Sequence, residues 1–251
     1  MILRIEDTDA ALRKPEFIDA IVKPLQTLGI TWDEGPYYQS QRQQFHVDAV
    51  EQLVESGNAY YCDLTRDQAD ELAKDAGLPA GYHGWSRDRG ITDGEGCVVR
   101  FRTPDEGEVI FDDVIRGEVR FSCADLEDFV IRRSDGSPTF LVANAVDDAD
   151  MSITHVIRGE DLLNTTPKVM LLWDALDFGE MPTYAHLPLL VNEHARSCRS
   201  AVTTYRLSTF SLRDTSQKQW SITWLFWVGG RLTMWRSAQS ARSSTCSSSR
   251  T

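Results

Sequence analysis

The sequence predicts an α/β chain: a framework of helices and buried strands, interrupted by a β-rich insert and followed by a tail of foreign composition. Three observations predict it. The hydrophobic period is near 3.6 in the first 60 residues, changes to two from about residue 96, and returns to an α/β style near residue 140. Residues 1–194 hold 37 of the 38 acidic and 17 of the 26 basic side chains, a net of -20, whereas residues 195–251 hold one acid, Asp214, and nine bases, a net of +8. The last 57 residues also carry 13 serines, eight threonines and four of the seven tryptophans. The overall charge of -12 therefore averages two compositions.

The elements follow in order. "ILRIE" alternates and reads as a short strand. A helix over 15–28 opens with Pro15 in its first turn and closes at Gly29; Phe17, Ile18, Ile21, Val22, Leu25 and Leu28 line one face, and Pro24 is expected to kink it. "SQRQ" starts a second helix, with Ser40 and Gln43 at capping-box spacing, an inner face of Phe45, Ala49, Val50, Leu53 and Val54, and an end at Gly57-Asn58. Thr65 and Gln68 repeat that box before "ADELAKDAG". "CVVRFRTP", "EVIFDDVIRGEVRF" and "DFVIRRSDGSPTF" predict antiparallel strands with turns at Gly107, Arg116-Gly117 and Asp135-Gly136. "ITHVIRG" reads as a buried strand, Thr166-Pro167 as the cap of the helix "KVMLLWDAL", and "YAHLPLLV" as another buried strand. The resulting divisions are 1–60, 61–137 for the insert, 138–194, and 195–251 for the tail.

At 251 residues with 41% apolar composition, the chain has ample length to bury a core. No apolar run approaches the ~20 residues that cross a bilayer, so no membrane partner is expected. The start has no basic flank followed by a long apolar stretch, so no secretory signal is expected. Cys62, Cys97, Cys123, Cys198 and Cys246 form no C-x-x-C pair. That usage predicts a reducing cytosol and no disulfide framework.

"LRIEDTD", "WDEGPYYQS", "FDDVIRGEVRF", "DGSPTF", "DDADMSITHVIRGEDLLNTTP" and "AHLPLL" follow one another with spacing that resembles bacterial glutamyl-tRNA synthetases, over nearly all of residues 2–194. "RIED" alone would be a weak signal; the ordered series is a strong one. The resemblance implies a class I aminoacyl-tRNA synthetase with a partial doubly wound (Rossmann-like) nucleotide-binding domain, split by an inserted α+β unit that faces the tRNA acceptor end. It implies glutamate, ATP with Mg²⁺, and tRNA as substrates, a cytoplasmic location, and a monomer in the intact family member. In the implied reaction glutamate's carboxylate attacks the α-phosphate of ATP, and the glutamyl group then passes to the terminal ribose of tRNA.

A substrate with an ammonium and two carboxylates needs a buried acid and a forked cation. Glu6, at the end of a strand, is where open α/β sheets place ligand groups. By itself it would more often be an exposed charge or a helix cap; the resemblance reverses that and gives it the substrate's α-amino group. Arg158, at the end of "ITHVIRG", matches an arginine that grips the side-chain carboxylate, a two-pronged contact that a lysine cannot copy. Without the resemblance, a surface arginine beside Glu160 and Asp161 would be an equally good reading. Asn144 and Phe140 match positions lining the amino-acid pocket, with a turn or cap as the plain alternative for Asn144. Asp161, Leu162, Leu189 and Leu190 correspond to the nucleotide site, against the plain alternatives of a helix start and a core strand. Arg100, Arg102, Arg116 and Arg120, with Arg132 and Arg133, give the insert cations that phosphate contacts require, although scattered arginines on sheets are more often solvated.

The departures are specific. Phe140 stands where many relatives carry a tyrosine, so a hydroxyl contact is missing. Leu12 holds the usual place of an arginine, with Arg13 one step late. Some relatives bind zinc in the insert, where only Cys62 and His83 are candidate ligands here. Zinc needs four ligands, or three and a water, so no metal is expected.

Two signatures of the family are expected at the ends. The resemblance begins after the segment with the "HIGH" signature, whose helix N-terminus holds ATP phosphates. Near His194 a lysine loop of the "KMSKS" type is due, whose charge stabilises the transferring phosphates. Codons compatible with "HARSCRSA", read one nucleotide earlier, yield "RKKLSKR", and the same shift allows an acidic, aliphatic continuation. The tail is therefore expected to be out of frame after about residue 194 and unstructured. The polypeptide as written is expected to be a fragment inactive in tRNA charging, with no catalytic residue retained. The rival readings are a glutamyl-Q tRNA(Asp) synthetase-like enzyme and a non-catalytic RNA-binding protein whose tail tryptophans stack on bases.

Overall fold

In the computed structural model, residues 1–8 and 15–189 are described. Leu12, Arg13, Leu190 and the tail over 195–251, and with them the readings made for those positions, lie outside the described residues, as does the side chain of Phe17.

Strand β1 (Ile2–Ile5) pairs in parallel with β2 (Glu34–Tyr38), Ile5 opposite Tyr38. Between them runs α1 (Pro15–Thr27), with Pro24 inside it. Its predicted stripe packs as the period demands: Leu25 is buried against Leu3 and Ile5, with Ile18, Ile21, Val22 and Leu28 around them. Each such apolar side chain buried is worth roughly 1.5–3 kcal/mol.

The next helix corrects the sequence reading. Gln39–Arg42 form a 3-10 turn, and α2 begins afterwards, at Gln43–Glu55, with no side-chain cap at Arg42. Ser40 is not free to cap, because its hydroxyl donates to Asp7 Oδ2 at 2.6 Å and its backbone N–H to Oδ1 at 2.8 Å. His46 is buried in α2 while Phe45 is 55% exposed, the reverse of the predicted assignment for Phe45. The rest of the inner face holds, with Ala49, Val50 and Leu53 buried.

β3 (Ala59–Cys62) lies antiparallel to β4 (Val98–Phe101), which pairs in turn with β7 (Val130–Arg132). Between β3 and β4, α3 (Arg66–Asp75) carries both halves of the predicted Thr65–Gln68 capping box. β5 (Glu108–Asp113) and β6 (Gly117–Ser122) form a regular hairpin, Asp113 opposite Gly117, at the predicted Arg116-Gly117 turn. The predicted strand after Asp135-Gly136 shrinks to one bridge, Arg132 to Pro138. Proline has no N–H to extend a ladder.

α4 (Phe140–Asp150) follows, then β8 (His155–Gly159), a 3-10 turn at Glu160–Thr165, α5 (Thr166–Ala175) and β9 (Thr183–Leu187), which pairs in parallel with β8. Thr166 was expected to cap α5; it lies inside the first turn and is fully buried, and the flanking Thr165 makes no side-chain cap. The hydroxyl of Thr166 is committed elsewhere.

The layout is α/β, with a correction to the sheet. The parallel strands form two separate pairs, β1–β2 and β8–β9, among the described residues. Side chains join them: Ile2 packs with Met151, Ile153, Val156 and Tyr184, and with Phe111 of β5. The main core crosses both expected boundaries of the insert. Ala49, Val50 and Leu53 of α2 meet Val99, Phe101 and Ile131 of the antiparallel sheet and Val142, Val169 and Leu172 of α4 and α5. The hairpin is likewise tied to β9, since Val114 N–H donates to the Tyr184 carbonyl at 2.9 Å.

Candidate active site

Open α/β folds gather ligand groups at the carboxyl ends of parallel strands. Glu6 follows the end of β1, and Arg158 lies next to the end of β8. Between the two pairs the chain buries a belt of charged and polar side chains: Arg4, Gln39, Asn144, Asp147, Asp148, Arg158, Thr166 and His186, none more than 5% exposed. Burial of this kind is tolerated only where partners exist.

α4 supplies one wall. Phe140, Asn144, Asp147 and Asp148 recur at three and four positions, the spacing of one helix face. Asn144 is in the helix interior, which removes the turn or cap alternative. Its Oδ1 accepts from Gln39 Nε2 at 3.0 Å and from Arg4 Nη2 at 3.4 Å. Asp147 accepts from Gln39 at 3.1 Å and Arg42 Nε at 2.8 Å, with His46 Nε2 at 2.9 Å. Burial alone would lift that carboxyl, but His46, Arg42 and the field of Arg4 outweigh it and hold it below the usual aspartate range. Phe140 begins α4 and is half-buried.

Arg4 knits this wall to β1. Its Nη2 is 2.7 Å from Asp148 Oδ1 and 3.8 Å from Glu6 Oε1, with side chains 0%, 7% and 5% exposed respectively. Burial pushes Asp148 up, against the pull of Arg4. The sequence reading passed over Arg4, although a charge inside the apolar strand "ILRI" was the available signal.

Arg158 is held differently. Its Nε donates to His186 Nε2 at 3.1 Å, and its Nη2 to Thr166 Oγ1 at 2.7 Å and to the Leu162 carbonyl at 3.3 Å. All three acceptors are neutral groups. Burial lowers its pKa from the arginine value, opposed by the fields of Tyr184, Asp148, Glu6 and Asp161. Glu6 and Arg158 thus lie within electrostatic reach of one another.

Behind Arg158 stands a second set that the sequence reading missed. Asp113 Oδ2 is 2.6 Å from His186 Nδ1 and accepts from the His186 backbone N–H at 3.0 Å; His186 Nε2 is 3.1 Å from Thr166 Oγ1. Burial would raise Asp113, but His186 and the N–H groups of Arg116, His186 and Ile115 keep it low. Burial lowers His186 despite that carboxylate.

The expected nucleotide residues gather at the carboxyl ends of β8 and β9. Asp161 and Leu162 are in the turn after β8, and a Cβ on Gly159 would meet Asp161 Oδ1 and approach Leu189 Cδ2 at 3.6 Å. Leu189 N–H donates to Glu160 Oε1 at 3.2 Å. Leu190 is outside the described residues.

The arginines of the antiparallel strands and their flanking turns are largely committed. Arg100 is buried, donating to the Asp128 carbonyl at 2.6 Å with its guanidinium 3.8 Å over Tyr82. Its expected place on a tRNA-facing surface is corrected by that burial. Arg102 pairs with Asp88, Arg116 with Glu160, and Arg120 with Glu108 and Glu118. Those three retain exposure, Arg120 the most at 50%. Cys62 Sγ lies 3.4 Å from Ser86 Oγ and His83 Nε2 2.9 Å from the Pro79 carbonyl. No group of three or more His, Cys, Asp or Glu is arranged for a metal among the described residues, and no helix among them is long and apolar enough to cross a membrane. An open cavity of about 570 Å³ lies elsewhere, lined by Tyr82, His83, Arg87 and Lys168 among others.

Residues 1–200 match the family described as tRNA synthetases class I (E and Q), catalytic domain. A glutamate–tRNA ligase of Thermobifida fusca is 51% identical over 197 residues, 76% of this chain and 40% of that protein. One from Nitratidesulfovibrio vulgaris is 43% identical over 193 residues, 76% of this chain and 42% of that one. The crystal structure of a glutamate tRNA ligase from Elizabethkingia meningosepticum, in complex with its amino acid, superposes with a TM-score of 0.67 at 31% identity, over 76% of this chain and 43% of that one. The chain spans about 40% of the length of these curated relatives.

Proposed function

The chain belongs to the catalytic-domain family of class I tRNA synthetases for glutamate and glutamine, and from that premise we propose that its belt of buried charged and polar side chains forms the glutamate site of a glutamate–tRNA ligase. In this reading the Glu6 carboxylate receives the substrate's α-ammonium and Arg158 its side-chain carboxylate, with Asn144 and Phe140 as walls. The observation that carries it is Arg158: a buried guanidinium whose hydrogen bonds among the described residues go only to neutral acceptors. A buried cation in that state calls for an anion, and a carboxylate meets a guanidinium through charge-assisted bonds.

The turn after β8 and the end of β9 would then border the nucleotide, with ATP entering as its magnesium complex. An oxygen of glutamate's α-carboxylate attacks the α-phosphorus, pyrophosphate leaves, and the ribose hydroxyl of tRNA later displaces AMP from the acyl carbon. What this chain's residues contribute is orientation: two ends of the amino acid held apart by fixed charges, so that the α-carboxylate alone is left to react. Arg102, Arg116 and Arg120 remain the exposed cations available to an acceptor end. The identity of the T. fusca relative, 51%, supports glutamate over other amino acids.

Calorimetric titration of the purified chain with L-glutamate and L-glutamine tests the reading. Saturable binding that prefers glutamate and is lost in Arg158→Ala is expected. Equal affinity for the two amino acids, or no loss in the variant, would overturn it.

A further inference from the structure

We propose that His186, pinned by Asp113, is the positioning residue for Arg158, fixing the plane of its guanidinium so that Nη1 is the edge presented to a ligand carboxylate. The assignment of that ligand as glutamate rests on the reading above; the anchoring itself rests on geometry. An ionised Asp113 only accepts, so the 2.6 Å contact requires the proton of His186 on Nδ1. Nε2 is then a lone pair, and it takes the Arg158 Nε–H at 3.1 Å. Thr166 closes the ring: its oxygen accepts from Arg158 Nη2 at 2.7 Å and its hydroxyl lies 3.1 Å from the same His186 nitrogen. The Leu162 carbonyl takes the other Nη2 proton at 3.3 Å. Nε and Nη2 are thereby used, and Nη1 makes no hydrogen bond among the described residues.

Arginine's side chain has several rotatable bonds, and holding it in one arrangement costs rotamer entropy. Three anchors from β9, α5 and the turn after β8 remove that freedom before any ligand arrives. The hairpin enters through Asp113 at the end of β5, so a residue of the antiparallel hairpin acts on Arg158 through an imidazole. The groups facing His186 are Asp113 from β5, Arg158 from β8, Thr166 from α5, the rings of Tyr184 and Phe111, and the more distant charge of Arg116. A second proton on His186 would turn Nε2 into a donor facing another donor, and the anchor would break.

Nitrogen-15 NMR of the intact chain reads this directly, with the Arg158 Nε–H identified by its absence in Arg158→Lys. The wild type should show that proton protected from exchange at neutral pH, and protection should vanish as His186 takes its second proton in acid. His186→Asn keeps a donor for Asp113 but offers no acceptor at the Nε2 position; it should lose protection and bind glutamate about tenfold more weakly or worse. His186→Gln places an acceptor there and should recover most of both. An unprotected Arg158 Nε–H in the folded wild type overturns the proposal, and this needs no variant to fold. Wild-type protection and glutamate affinity in a folded His186→Asn protein also overturn it. Protection that follows the predicted pattern with no glutamate binding at all supports the anchor and overturns the glutamate reading instead.

Discussion

Arg4 and Asp148, from the first strand and from α4, meet at 2.7 Å with side chains 0% and 7% exposed. Two charges taken out of water must compensate each other closely, and removing one strands the other. Arg4→Met is therefore expected to cost about 3–5 kcal/mol, while adding Asp148→Leu to it should restore a large part. Urea unfolding of the two single variants and the double variant measures the coupling; additive losses would show that the pair is not a unit.

Thr166 and Thr165 are neighbours with opposite expected sensitivities. Thr166→Val leaves the buried Arg158 and His186 without their hydroxyl and should destabilise by about 1–3 kcal/mol. Thr165→Ala removes only a bond to the Leu162 carbonyl and should cost about 1 kcal/mol or less. Thermal and urea melts of both proteins decide the order.

Acid should act on the buried charged belt in two stages. His186 has its pKa lowered in the fold by burial, so below the free histidine value of about 6.5 the unfolded chain binds the extra proton and stability falls. Asp113 and Asp147 are held low; their contribution is complete above the free aspartate value of about 3.9 and is lost as pH drops through their folded values. Asp148, raised by burial, has the opposite sign, so differences between proteins are the clean observable. Relative to wild type, His186→Asn should flatten the stability slope just below pH 6.5, and Asp113→Asn the slope below about pH 4. Urea midpoints collected across pH 3–8 check both.

Two arginines of the antiparallel insert should separate structure from surface. Arg100→Ala removes a buried donor to the Asp128 carbonyl and a cation stacked on Tyr82, and should lower stability by about 1–3 kcal/mol. Arg120→Ala loses only exposed pairs on a hairpin and should change stability by less than about 1 kcal/mol. Denaturation of each variant is sufficient; a larger loss at Arg120 would reverse the assignment.

The sequence made legible what local pattern encodes. The alternation in "EVIFDDVIRGEVRF" gave the hairpin and its turn, and Thr65 with Gln68 gave a cap that forms as read. Ser40 offered the same spacing and failed, because Asp7, 33 positions away, claims its hydroxyl. Thr166 failed for the same reason, through Arg158. Periodicity reports which face is apolar, and it cannot report which distant charge will neutralise a buried one. Glu6, Asn144 and Arg158 are candidates through ordered motifs, whereas the partners of Arg4, Gln39, Asp113 and His186 emerge from long-range contacts.

Asp113 gives the hairpin a meaning for anyone who would shorten this protein. Residues 61–137 look like a removable cassette in the linear order, bounded by places where the chain could be rejoined. Deleting them, or swapping in the equivalent stretch from a distant homologue without aspartate at that turn, would release the imidazole from its tautomer and loosen an arginine on the far side of the presumed seam. A recombination library that keeps the hairpin and β9 from the same parent should yield more members with Arg158 held in place than one that shuffles them freely.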